Sequence, residues 1–282
     1  MTIKGLRMTE LNYRLVPTGW TQECKNPFCG DGSYGPAWSC FEIVDVDGDR
    51  FFHGTGPTGL FGLHVERLVA DLETRMADFL RYEAAHGRTV IVAAPSDSDK
   101  SALIERAQQH TPEGPVVRLS DPRWAVHSTG SDAWRSIRRC GELQSLARLS
   151  AGRAYAGGLG LSTFGEPADY AGYVALGRID GIGPEHVVAS HQKGQVLTDE
   201  DAEYEPGVRL YFDAHRIIQD GLATRDGVHL LKVRDRLPLA PYMRAAIGVE
   251  EADPDGSVSA WTPRLFLERA NSCFQRTLSH GA

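Results

Sequence analysis

The sequence predicts an α+β protein of two domains, and three observations carry that prediction. A helix, a strand, a second helix and a second strand alternate between about residues 63 and 119. From Trp124 onward short strands and helices come in mixed order, and the change of pattern falls near residue 115. The expected division is an N-terminal α/β domain of unassigned type, residues 1–115, followed by a C-terminal domain, residues 116–282. A chain of 282 residues has room for two such cores.

Composition bounds the function classes. The hydrophobic fraction of 41% is ordinary for a folded chain, and 30 Gly with 15 Pro stay well below the roughly 25–30% of low-complexity sequences. The net charge of −7 gives no bulk attraction to nucleic acid or to an anionic membrane, so any phosphate binding must come from a local patch. No apolar run approaches the roughly 18 residues of a membrane span, and no apolar stretch follows Lys4 and Arg7 as in a signal peptide. Five unevenly spaced cysteines suit a reducing compartment, and the expectation is a soluble, cytoplasmic protein without a membrane partner.

Each element has its own signal. Residues 41–46 and 50–52 are apolar segments flanking Asp47-Gly48, a favoured hairpin turn. Asp45, Asp47 and Asp49 do not form a calcium loop, because Gly48 and Gly56 stand where such a loop needs other residues. Val65, Leu68, Val69, Leu72, Met76, Phe79 and Leu80 recur at helical spacing, which predicts a helix over 63–86 stopped by Gly87. Residues 89–94 read as a buried strand, Asp97 or Ser98 caps a helix to about His110, and 116–119 reads as another strand. The connection Ala94-Pro-Ser-Asp-Ser-Asp-Lys100 lacks the glycines of a phosphate loop. Beyond it come a strand at 124–127, a helix at 132–140 closed by Gly141, a strand at 159–163 and a helix from Glu166 to about Leu176. A Gly- and charge-rich insertion spans 177–207, then a strand at 208–213, a helix at 214–219, a strand at 228–233 and a final helix from Pro263 to about Phe274.

The sharpest chemical signal is His127-Ser128-Thr129, placed where a strand ends and a helix begins, so that imidazole and turn backbone face one spot suited to a polar ligand. His53-Gly54-Thr55-Gly56 is a second motif of this kind in the N-terminal half. Six arginines (123, 135, 138, 139, 148 and 153) against Asp132 and Glu142 make the one basic stretch, and planar guanidinium matches phosphate oxygens two at a time. On Arg135, Arg138 and Arg139 a solvated helix face is the competing reading. Cys24, Cys29 and Cys40 with His53 match no common zinc spacing, so no metal is expected.

At these residues the chain resembles the ADP-ribosyltransferase superfamily, and within it the NAD-dependent RNA 2′-phosphotransferases. His127-Ser128-Thr129 is similar to the family's His-Gly-Thr, with Ser128 in place of Gly, and it is followed by Trp134-Arg-Ser-Ile137 and Gly141. Leu161-Ser162 with Ala168, Ala171 and Arg178 resembles the second block. Residues 208–214, Asp220-Gly221, Gly227-Val228 and Pro241-Tyr242 resemble the last. The likeness covers roughly residues 124–242, and the later blocks follow His127 rather than His53.

The resemblance implies a split antiparallel sheet binding NAD as co-substrate, with the nicotinamide-side ribose hydroxyl on His127 and the carboxamide on the adjoining backbone of Ser128 and Thr129. It implies Ser162 in the same site and a Tyr170 or Tyr173 ring on nicotinamide, with Arg153 and Arg178 holding phosphate. The activity implied is transfer of a 2′-phosphate from RNA to the ADP-ribose of NAD. The alternative is mono-ADP-ribosyl transfer to nucleic acid, protein or a small molecule. For that reaction Glu203-Tyr204-Glu205 resembles the Glu-x-Glu of arginine-type transferases, with Glu203 or Glu205 as the catalytic acid group. A third reading is a nucleotide- or RNA-binding module without catalysis, motivated by Ser128 and by the lack of a counterpart to the family's first catalytic Arg in residues 1–115. That N-terminal part is open to substrate selection, dimerisation or an inhibiting partner.

Overall fold

A computed structural model describes residues 11–109, 114–151 and 165–280. The fold mixes helices with several sheets, as an α+β chain should, and no helix among the described residues is long and apolar enough to cross a membrane. The described chain divides into two compact units, one of residues 11–109, 165–167 and 225–228, the other of 114–151, 168–224 and 229–280.

The first unit is a five-stranded sheet with two helices. Its elements are β1 (Tyr13–Leu15), β2 (Trp38–Val44), β3 (Phe51–Thr55), β4 (Phe61–Glu66), α1 (Leu72–Ala85), β5 (Thr89–Ala93) and α2 (Asp97–Gln109). The strand order is β1-β5-β2-β4-β3, with β3 alone antiparallel to its neighbour. The expected hairpin across Asp47-Gly48 does not form, because β4 lies between β2 and β3 and pairs with both. β4 also shortens the expected helix at its start. All six residues from Phe61 to Glu66 are buried, and such a run gains more from two strand neighbours than from a helix surface. Gly87, at φ 76°, follows α1 in the left-handed conformation that glycine adopts without strain. Residues 116–119 form no strand; Val116 and Leu119 are exposed and only Val117 packs on a core.

The second unit opens with β6 (Trp124–Thr129), α3 (Ser131–Cys140), β7 (Glu142–Gln144) and α4 (Leu146–Ala151). After a short 3-10 helix (Ala168–Gly172) come β8 (Tyr173–Arg178), α5 (Gly183–Lys193), β9 (Val208–Asp213) and α6 (Ala214–Gln219). β10 (Ala223–Thr224), β11 (Leu231–Arg234), β12 (Arg236–Pro238), β13 (Met243–Ile247), α7 (Val249–Ala252) and α8 (Pro263–His280) complete it. Six strands form one sheet in the order β10-β11-β8-β6-β9-β13, antiparallel throughout, while β7 and β12 pair apart from it. Both faces are covered. Ala125, Leu176, Leu210 and Phe212 belong to one apolar cluster, and Val126 and Tyr211 to the other with Phe266 and Phe274 of α8. The helix expected over 166–176 is a single 3-10 turn that gives way to a strand, since Val174 and Leu176 alternate into the core at period two. The insertion 177–207 contains α5, which Pro184 opens and Gly194, at φ 68°, closes. The strand expected at 159–163 lies outside the described residues.

Candidate functional site

β6 is the middle of the site because its two sides differ. Against β9 it pairs along its whole length, from Trp124 opposite Asp213 to Thr129 opposite Val208. Against β8 the register pairs are only Ala125 with Arg178 and Val126 with Gly177. β8 nevertheless keeps its other neighbour through this stretch, with Leu176 to Tyr173 opposite Leu231 to Arg234. From His127 onward β6 and β8 therefore part within the sheet, and each turns toward the gap an edge of backbone groups that the ladder does not use.

One side chain bridges that gap. Nδ1 of His127 lies 3.2 Å from the carbonyl oxygen of Ala175 on β8. A carbonyl only accepts, so Nδ1 carries the hydrogen and Nε2 is left as an acceptor. Burial lowers the imidazole pKa from its ordinary 6.5, and the bond to Ala175 and the Glu185 charge only partly oppose this. His127 is thus a neutral hydrogen-bond acceptor at neutral pH.

Beneath the parted end lies a buried polar quartet. Ser128 donates from Oγ to Oε1 of Glu185 on α5. Nη1 of Arg209 on β9 donates to the same oxygen at 2.8 Å, and the Tyr204 hydroxyl donates to Oε2 at 2.9 Å. Nη2 of Arg209 reaches the carbonyls of Ile179 and Gly181 in the turn after β8. The side chains of Glu185 and Arg209 are fully buried, so each is the other's counter-charge away from bulk solvent. Burial and the Glu185 carboxylate raise the Tyr204 phenol well above its ordinary pKa, which keeps it a donor.

The chain leading into β9 runs against the end of β6. A Cβ at Gly207 would overlap the Thr129 carbonyl oxygen and stand 2.9 Å from Cα of Gly130, so the close approach requires glycine. Just upstream, Glu203 and Glu205 are exposed while Tyr204 between them is buried. The Gln192 amide holds the Glu205 backbone, accepting from its N–H at 3.1 Å and donating to its carbonyl.

The remaining predicted residues fall in several places. Tyr170, in the 3-10 helix, and Tyr173, first in β8, both turn their rings to the buried Lys232 ammonium, at 3.4 and 4.7 Å from the ring centres. Arg178 lies at the closed end of the seam and bonds Asp180 at 3.1 Å. Arg153 and Ser162 lie outside the described residues. Arg135, Arg138 and Arg139 are exposed on α3, whose Trp134 and Ile137 pack on the core. Gly207 brings the chain that follows Glu203 and Glu205 against Thr129 and Gly130 at one end of β6, while those two acids lie along α5, tied there through Tyr204 and Gln192, and Arg178 lies at the other end of the seam. Sequence reasoning missed Glu185 and Arg209. The available signal was Arg209 within the apolar run 208–213, since an arginine in a fully buried strand demands a buried carboxylate. His53, in the first unit, bonds Glu166 at 3.2 Å on an edge strand.

No protein-family model, no curated protein and no solved structure matches this chain.

Proposed function

We propose that the second unit binds NAD at the parted seam between β6 and β8 and acts as an NAD-dependent transferase. The carrying observation is that β6 stops pairing with β8 at His127. A carboxamide needs one donor and one acceptor side by side, which the freed edge of an antiparallel strand offers. His127 Nε2, neutral and accepting, suits a ribose hydroxyl. These features fit the split sheet and the residue roles that resemblance to the ADP-ribosyltransferases implies.

When bound, NAD supplies an electrophilic ribose carbon with nicotinamide as the leaving group. In the favoured reading a 2′-phosphate oxygen of RNA attacks that carbon and nicotinamide departs. A ribose hydroxyl then displaces the RNA 2′-oxygen at phosphorus, which releases RNA as a 2′-hydroxyl and leaves a cyclic phosphate on ADP-ribose. His127 holds the ribose hydroxyl in place, and backbone next to it fixes the carboxamide so that the reacting carbon faces the acceptor. A second reading is mono-ADP-ribosyl transfer, supported by the exposure of Glu203 and Glu205 just ahead of Gly207, which abuts the end of β6; in that reaction a carboxylate polarises a ribose hydroxyl and stabilises developing positive charge.

Mass spectrometry after incubation with NAD, with and without a 2′-phosphorylated RNA, tests the proposal. Nicotinamide with ADP-ribose cyclic phosphate is the expected outcome. Nicotinamide with an ADP-ribosyl mass on another acceptor selects the second reading, and Glu205→Gln then abolishes nicotinamide release while NAD still binds. Full turnover by His127→Ala contradicts the assignment of the site.

A further inference from the structure

We infer that Glu185 is a positioning residue, whose buried carboxylate holds the parted end of β6 through Ser128 and the segment of Glu203 and Glu205 through Tyr204. The inference rests on the proposed NAD site for its functional meaning, but its geometry stands by itself. Five pieces of chain meet at one carboxylate: Ser128 of β6, Arg209 of β9, Tyr204 ahead of β9, α5 through Glu185 itself and, by way of Arg209, the turn after β8.

The arrangement explains how the strands stay parted. A strand end freed from one neighbour tends to pair again, since unpaired backbone in a sheet interior is costly. Ser128 stands opposite Arg209 in the β6–β9 register, so both side chains leave the same face of the sheet, and both end on Glu185. His127, one residue earlier, leaves the other face. Fixing Ser128 from below therefore sets the height of the imidazole above without touching it. Tyr204 does the same for the two acids, because an anchored residue at the middle of Glu203-Tyr204-Glu205 turns both neighbours outward. An apolar group at position 185 would fill the space and fix neither segment.

Glu185→Gln is the direct variant, but it leaves Arg209 buried without its counter-charge and can unfold the domain. Ser128→Ala removes one donor and keeps the ion pair, Ser128→Thr restores the hydroxyl, and Val188→Ala on α5 is a packing control with no bond to Glu185. Two readouts apply to the full chain: the nitrogen-15 resonances of the His127 imidazole without ligand, and the NAD dissociation constant by calorimetry. Ser128→Ala should shift or erase the His127 Nδ1–H signal and weaken NAD binding about tenfold, because the displaced imidazole gives up its hydrogen bond to the ribose hydroxyl. Ser128→Thr should restore both, and Val188→Ala should change neither. An unshifted imidazole in folded Ser128→Ala overturns the inference, whatever NAD does. If the wild type binds no NAD while the imidazole responds as stated, the proposed function fails and the positioning role stands. If the wild type binds NAD and Ser128→Ala alters neither readout, the positioning role fails and the NAD site stands.

Discussion

The chain carries two His-x-Thr motifs, and their settings differ. His53-Gly54-Thr55 lies on β3, a rim strand paired with β4 at each of its five residues. Its side chains are engaged locally, His53 with Glu166 and Thr55 with the Gly165 carbonyl. His127-Ser128-Thr129 lies on an interior strand whose partner leaves it midway. A rim edge faces solvent from one side only, whereas a parted seam turns two backbone edges and an imidazole toward the same space. The same residue pattern therefore sits on fully paired backbone in one place and at a break in the ladder in the other, and strand pairing makes the difference.

Substitutions in the two settings should differ in cost. The largest expected effect is at the ion pair beneath His127. Arg209→Met should cost about 3–5 kcal/mol in urea unfolding, because it strands a buried Glu185. Near His53, Arg50→Met removes a mostly exposed partner of Glu66 and should cost about 0–1 kcal/mol. Comparable losses from the two variants would remove the contrast. Next in size is Gly207→Ala, which forces a Cβ against the Thr129 carbonyl. We expect a loss of about 1–3 kcal/mol by the same unfolding measurement, typical of overpacking.

The smallest effect is on pH dependence. Burial is the first cause lowering the pKa of His127, His186 and His191 from 6.5, and all three belong to the second unit. A lowered histidine is neutral when folded and protonates first in the unfolded chain, so stability is full above about pH 6.5 and declines as pH falls toward the folded values. Glu66 and Asp97 of the first unit are lowered carboxylates, with backbone donation from Arg50 and the Lys100 side chain as their leading causes. Their contribution is lost only as pH falls below about 4.5. Chemical denaturation between pH 7 and 5 should show a decline that His127→Gln makes shallower.

Much of this was legible in the sequence where one signal dominated. The strand 208–213, the helix closed by Gly141 and the final helix from Pro263 carry clear period or stop signals, and they form as β9, α3 and α8. The motif at His127 was legible as a strand-to-helix junction. The segment 61–66 was not, because its apolar residues serve a helix period and a buried strand equally until the neighbours on both sides are known. The buried quartet was hidden for a related reason. Ser128, Glu185, Tyr204 and Arg209 are spread over 82 positions, and only the folding of α5 beneath β6 brings them to one carboxylate. The parting of β6 from β8 leaves no residue signature, since it is a property of register.

The most direct test of the account is a calorimetric titration of NAD into the wild type, His127→Ala and His53→Ala. The wild type should bind, His53→Ala should match it within about twofold, and His127→Ala should bind about 10- to 100-fold more weakly, as the loss of a buried hydrogen-bonded partner implies. Absence of binding to the wild type, or equal binding by His127→Ala, would contradict it.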